Sequence, residues 1–521
     1  MGLQLPPDFI ASYRDFISYP ENSLVKSTYS GALRTQRLRL EDGQRKLFTQ
    51  KDANVLVPFR DLDAHGQPKA FVKHKVRDDD ELQDWLGDRS RSHPTKIATK
   101  RDPKCRFVFF YSDNSMAQLH TTRKMFVRTL TYHQVMPSYL DFTAVFGIHN
   151  HTREPRFSGF REQTLFSGPP KTKVDSLGRS GRHFQLCYNL KSVGTWSDAS
   201  PGTLVPNSEK WSIRQGAFHH QFDVITGNSF WIITRAGLDI KERVEGVTGV
   251  HGNEEDKKFG TPEECLRSTF AIHLLLCHWA TERWREYFQW LEDKIEEATY
   301  VVVYGPQSLG DSKQSYSPAQ LKRAQSLEEE TNEAVMVLEG NSDILTSLKR
   351  FYEGLRTNDR FPLKTSAGEE LASFASQIDS FIYDSKLQIA RGRLLAKIVS
   401  ARKSIILQHL QSQATEQMQQ LTVSMQRDST TVRIIGLMTF LYLPGTFVST
   451  FFSTDVVKYQ DQNGNSTVAS TSGSYSRLAL DRWLEVTLPL TLLTFLGAGL
   501  WFWAVDRRNK RHIALPYTEE K

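Results

Sequence analysis

Ile434 to Asp455 reads IIGLMTFLYLPGTFVSTFFSTD. The run carries no charge until its last residue. About 20 apolar residues wound as a helix rise about 30 Å, the thickness of a bilayer's hydrocarbon. Val486 to Val505, VTLPLTLLTFLGAGLWFWAV, repeats the pattern. Uninterrupted length argues against two buried core helices. So do Trp501 and Trp503 near the end of the second run and the basic DRRNKRH that follows, as at a membrane–water boundary. A third apolar run, FAIHLLLCHWA (270–280), is too short to span and holds two histidines. It reads as a buried helix of a soluble domain.

The flanks of the two spans give an orientation. Arg427 and Arg433 precede the first, and Arg507, Arg508, Lys510 and Arg511 follow the second. The segment between holds Lys458, Arg477 and Arg482 against Asp455, Asp461, Asp481 and Glu485. Basic residues concentrate on the cytosolic side of membrane helices. Both termini are therefore expected in the cytosol and residues 455–485 outside, with the plasma membrane as the expected location. The outer segment contains QDQNGNSTVASTSGSYS, polar and turn-rich, with a glycosylation sequon at Asn465. The N-terminus, MGLQLPPDFIASYRDF, has neither a secretory nor a mitochondrial leader pattern, and Pro6 breaks the myristoylation pattern.

The 521 residues allow two or three domains. A net charge of +7 from 66 basic and 59 acidic residues is too small an excess to indicate nucleic acid. Cys105, Cys187, Cys265 and Cys277 are few and far apart, as expected of reduced buried thiols.

Residues 1–100 read as a polar N-terminal extension, with RDDDELQDW (77–85) as a solvated helix face. From residue 101 to 260 the texture is that of an α+β cytosolic domain. RFVFFYS (106–112), FTAVFGI (142–148) and FQLCYNL (184–190) have the aromatic and β-branched content of strands. Residues 211–235 read as a hairpin turning at Thr226-Gly227-Asn228, and 121–134 as a helix stopped by Pro137. Residues 261–433 form a long-helix stalk region. Thr261-Pro262-Glu263-Glu264 and Ser317-Pro318 are helix starts. A third helix beginning near Ser366 meets no proline before the first span. At about 85 residues and 1.5 Å per residue it would be about 130 Å long and would need helical partners. Its apolar positions include Leu371, Phe374, Ile378, Phe381, Leu387, Leu394, Ile398, Ile405 and Leu421. The first span is then 434–454, the external loop 455–485, the second span 486–505 and the basic cytosolic tail 506–521.

Within the first span Thr439, Thr446, Thr450 and Ser453 are spaced 7, 4 and 3, with Leu443 completing one helix face. Two readings fit. The hydroxyls line a polar conduit between copies of the chain, or they bond their own backbone and glue helices together. Asp455 is either a solvated boundary acid or one member of a carboxylate ring that concentrates cations.

A cytosolic α+β domain, long stalk helices and two C-terminal spans with a basic tail resemble the CorA/ZntB superfamily of cation channels and transporters. The family's first span typically ends P-L-T-F-I-A-G-I-Y-G-M-N. Here Pro444-Gly445-Thr446-Phe447-Val448-Ser449-Thr450-Phe451-Phe452 lies over its first nine positions, and Ser453-Thr454-Asp455 replaces Gly-Met-Asn. TYHQVMPSYLDF (131–142) and WSIRQGAFHHQFD (211–223) are similar to segments of divergent CorA-like proteins of filamentous fungi. The resemblance covers roughly residues 100 to 515. It implies a homopentamer with first spans inside and second spans, bearing Phe495, Leu496, Trp501 and Phe502, facing lipid. It further implies an ion path along Thr439, Leu443, Thr446, Thr450, Ser453, Thr454 and Asp455, with Asp455 meeting metal at the outer mouth. Arg507, Arg508, Lys510 and Arg511 would form a basic ring at the pore neck. The implied cargo is a divalent cation, magnesium first, with no resident cofactor.

Other patterns are weaker. Cys265, His273, Cys277 and His278 lack the spacing of a closed zinc site, and His219-His220 alternates across a strand. No phosphate loop, dinucleotide fingerprint or nucleophile motif occurs, so an enzyme is not expected. Two function classes remain: a homo-oligomeric divalent-cation channel or transporter, and a non-conducting membrane-anchored signalling or scaffold protein with the same fold.

Overall fold

The computed structural model describes residues 5–26, 29–62, 71–87, 100–114, 116–149, 157–167, 171–195, 211–304, 316–453 and 477–513. The chain divides into two compact units, Met1–Leu407 and Gln408–Lys521.

The first unit is built on a seven-stranded sheet. In chain order the strands are β1 (Val57–Leu62), β2 (Val72–Val76), β3 (Cys105–Ser112), β4 (Phe160–Leu165), β5 (His183–Thr195), β6 (Trp211–Asp223) and β7 (Ser229–Ala236). Their spatial order is β2-β1-β3-β7-β6-β5-β4. Only the β3–β7 pair is parallel. The sheet is covered on both faces, so alternate residues of one strand enter different cores. Phe107, Phe109, Trp231 and Ile233 join one apolar cluster, while Val108, Phe110, Phe230 and Ile232 join the other. Gly227 sits in the turn between β6 and β7 at φ 74°, against Cys265 and Pro262, a backbone conformation and a space that suit glycine.

The second of those clusters corrects the expectation of a polar extension over 1–100. Residues in this region form α1 (Pro7–Arg14), α2 (Ser30–Asp42), α3 (Gln44–Leu47), α4 (Asp79–Leu86) and the first two strands. Phe9, Tyr19, Phe48, Phe59, Val76 and Leu82 are buried against α5 (Arg123–His133) and α6 (Tyr139–Thr143). The expected solvated face of α4 buries Leu82 and Leu86, and its Asp79 takes a two-pronged hydrogen bond from Arg128 at 2.8 and 2.9 Å. Residues 142–148 are not a strand: Phe142, Val145 and Phe146 are buried at helical spacing around the end of α6.

The opposite face is packed by helices. After α7 (Asp239–Thr248), α8 (Pro262–Thr281) opens with the expected cap. Thr261 accepts from the Glu264 N–H while Glu264 reaches back to the Thr261 N–H. α9 (Trp284–Tyr304) follows at once, because Arg283 turns the chain at φ 64°. α10 (Pro318–Thr357) starts with a second such reciprocal cap at Ser317 and Gln320. α11 runs unbroken from Gly368 to Ser453. Inside the first unit α9, α10 and α11 share a core of Phe288, Leu291, Ile295, Leu338, Ile389, Leu395 and Val399. Gly392 lets them close up: a Cβ there would meet Phe288 and Val335 at 2.7 Å.

Past Phe381 the apolar positions of α11 fall on two stripes, one buried and one exposed. The buried apolar side chains are Ile382, Ile389, Leu395, Val399 and Ile406. Leu387, Leu394, Ile398 and Ile405 are exposed instead. With Tyr383 they are spaced 4, 7, 4 and 7, a second apolar stripe of heptad type.

The second unit holds the rest of α11 and α12 (Arg477–Ile513). Each contains a stretch long and apolar enough to cross a membrane, with little of either stretch buried within the chain.

Candidate functional site

Two turns of α11 lean on α12. Pro444 and Val448 are buried there, Val448 to 3 % exposure, and Gly445 is half-buried. A Cβ placed on Gly445 would lie 3.7 Å from Trp483 Cζ2 and 3.9 Å from Thr487 Cγ2. The Trp483 indole N–H donates to Ser449 Oγ at 3.0 Å. α12 brings a recurrent face on which Trp483, Thr487, Leu490, Thr491, Thr494 and Ala498 are the less exposed of its described positions. In hydrocarbon, small residues and hydrogen bonds are what hold helices together, because apolar burial there gains little.

The expected ion-path residues turn another way. Thr439, Leu443, Thr446, Thr450 and Ser453 are all exposed. At about 100° per residue their mean direction lies about 130° around the helix from the Gly445–Val448–Ser449–Phe452 seam. Thr439 donates to Ile435 O at 2.8 Å, Thr446 to Tyr442 O at 3.0 Å, and Thr450 to Thr446 O at 2.6 Å. These bonds use the hydroxyl hydrogen and leave oxygen lone pairs for an outside donor. That is the polarity a hydrated cation needs, since its bound waters present hydrogens. Back-bonding and lining are therefore compatible.

Thr454 and Asp455 lie outside the described residues, as does the Asn465 sequon. At the far end of α12, Arg507 lies over the Trp503 ring, 4.8 Å from its centre. The side chains of Arg508, Lys510 and Arg511 lie outside the described residues. Phe495, Leu496, Trp501 and Phe502 are exposed along α12.

The seam was missed in the sequence, although its signal is present. Gly445 and Ser449 form a small-xxx-small pair, the spacing at which membrane helices approach closely. Thr487 and Trp483 have no comparable local signature.

In the first unit His133, His183, His219, His220 and His273 are buried. His273 contacts the Tyr188 hydroxyl through Nδ1 at 2.7 Å and the Tyr352 hydroxyl through Nε2 at 2.8 Å. His220 stacks on Trp231, while its neighbour His219 faces the other core beside Gln185 and Tyr139. Burial pushes His273 and His219 down to about 3 and His183 to about 4, so all three are neutral at physiological pH. His278 is mostly exposed beside Glu282, apart from the buried His273. Among the described residues no cluster of three or more His, Cys, Asp or Glu is placed to hold a metal. A buried ion pair, Asp61 with Arg106 at 2.7 Å, ties β1 to β3.

A family model described as CorA-like transporters matches residues 11–303, more than half of the chain. The match takes in the N-terminal layer as well as the sheet, α8 and α9. Two solved structures are similar over most of their length. The CorA magnesium transporter of Methanocaldococcus jannaschii is 10% identical, covering 87% of this chain and 98% of that one at a TM-score of 0.35. The full-length CmaX protein is 13% identical, covering 88% and 99% at 0.32. No curated protein matches.

Proposed function

The chain belongs to the CorA-like transporters, a family of transporters and not of enzymes, and on that premise we propose that it carries a divalent metal cation through a homopentamer, magnesium being the expected ion. The observation that supports this best is the division of labour on the outer turns of α11. One face docks on α12, and the hydroxyl face is left exposed with its oxygen lone pairs outward. Two spans cannot enclose water, but a ring of copies placing these faces together can. Thr439, Leu443, Thr446, Thr450 and Ser453 would line the path, Thr454 and Asp455 would form its mouth, and Arg507, Arg508, Lys510 and Arg511 its basic neck.

Assembly has its own support. The Tyr383, Leu387, Leu394, Ile398 and Ile405 stripe is exposed in the single chain, and a heptad stripe is what a helix offers to copies of itself. Weak hydroxyl ligands suit conduction, because an ion must leave as readily as it enters. Magnesium holds its waters tightly, so contact through those waters, to hydroxyl oxygens and the Asp455 carboxylate, fits it.

Divalent uptake into liposomes holding the purified protein tests the proposal. Uptake above that of empty liposomes supports it. No divalent uptake, and no current with any ion, would leave the membrane-anchored scaffold as the function.

A further inference from the structure

Pro444 has no N–H, so the Phe440 carbonyl one turn earlier loses its usual helical donor. A helix is weakest against bending at such a point. The nine residues beyond it, Gly445–Ser453, carry the outer half of the hydroxyl face. The α11 backbone below them therefore sets their direction less firmly than an unbroken ladder of helical hydrogen bonds would. The described contacts that hold them come from α12: the Trp483 indole N–H on Ser449, and Trp483 and Thr487 against Gly445. Thr487 is 7 % exposed, and its hydroxyl has no hydrogen-bond partner among the described residues. It therefore serves the seam by its shape and not by bonding.

We infer that Trp483 and Thr487 are positioning residues: their grip on Gly445 and Ser449 sets the rotation of the outer turns of α11, and so decides that Thr446, Thr450 and Ser453 face away from α12. The inference deepens the ion-path proposal and rests on it for its functional meaning. The contact itself is a property of one chain. Near the bilayer boundary an indole N–H without a partner is costly, which gives the Trp483–Ser449 bond a preferred geometry. Gly445 contributes by absence. A Cβ there would rest in ordinary van der Waals contact with Trp483 and Thr487.

The test uses the full chain in membranes. The four native cysteines are buried, so they give a quiet background. Cysteines at Gly445 and Thr487 are paired by mild oxidation. Closure is read by whether the two halves stay joined after cutting at a protease site placed within 456–476. Thr446→Cys with Thr487→Cys is the control, because position 446 points about 100° away. The 445/487 pair is expected to close at least tenfold faster than the control. Trp483→Phe, which keeps the ring and loses the N–H, should slow 445/487 closure about fivefold, the factor for one neutral hydrogen bond. Ser449→Ala should do the same, Ser449→Thr should retain the wild-type rate, and the double variant should be no slower than either single one. Equal closure by the control pair, or unchanged closure in both Trp483→Phe and Ser449→Ala, would overturn the inference. The readout needs no ion flux. A protein that failed to carry ions would refute the ion-path proposal and leave the crosslinking result standing.

Discussion

At the scale of single residues, charge at the mouth and neutrality in the core act in opposite ways. If five copies of Asp455 ring the path, each attracts a divalent ion by about 3 kcal/mol at about 6 Å and an effective dielectric near 40, before screening. Salt and mutual repulsion reduce this severalfold. Asp455→Ala should weaken apparent cation affinity roughly tenfold, the equivalent of about 1.4 kcal/mol. Asp455→Asn should weaken attraction and keep divalent selectivity, which ion-competition uptake assays would separate. In the core, His183, His219 and His273 are held neutral with folded values of about 4, 3 and 3. Unfolded histidine titrates near 6.5. As pH falls below about 6.5 the unfolded chain takes up protons that the folded one refuses. Stability is therefore complete above that pH and declines toward about 4, by up to about 1.4 kcal/mol per pH unit for each histidine. The urea midpoint of the protein in detergent should drop clearly between pH 7 and pH 5; an unchanged midpoint would contradict this.

At the scale of elements, what was legible in the sequence was local. The starts of α8 and α10 could be read because a cap, a proline and an acid or amide three residues on are neighbours in the chain. Thr261→Ala should cost about 1 kcal/mol, measurable as a lower unfolding midpoint. The hairpin of β6 and β7 was legible for the same reason. The strands β1 and β2 were not, because VPFRDL and VKHKV carry charges whose partners are remote: Asp61 pairs with Arg106, and Arg60 donates to Thr248. Residues 142–148 misled in the opposite sense. Their aromatic and β-branched content suggested a strand, while the buried positions follow a helical period. The hydroxyl stripe was visible by spacing, but its relation to α12 depended on Trp483 and Thr487, more than 30 residues away. The apolar positions of α11 could be listed from sequence but not divided between partners, because that helix carries two apolar stripes. One packs on α9 and α10, and the other is exposed. Leu394→Asp, on the exposed stripe, should leave the fold intact and break up the assembly; light scattering in mild detergent would report it. An unchanged mass would show that this stripe is not the contact between copies.

At the scale of the whole molecule, the family match covers the first unit from residue 11 to 303 and stops before the spans. The proposed ion path lies in the spans, and so does Ser453-Thr454-Asp455, which stands in place of the family's Gly-Met-Asn. Function therefore has to be tested on the membrane segment itself. The expected topology, with both termini cytosolic and 455–485 outside, predicts that protease added to intact cells cuts only near residues 460–476. Cleavage in the N-terminal unit would contradict it. The most direct measurement is divalent-cation uptake into liposomes by wild type, Asp455→Ala and Thr446→Ala protein at equal assembled amounts. The account predicts magnesium uptake by wild type, about tenfold weaker apparent affinity with Asp455→Ala, and altered flux without loss of assembly with Thr446→Ala. Wild-type liposomes that take up no more divalent ion than empty ones would contradict it.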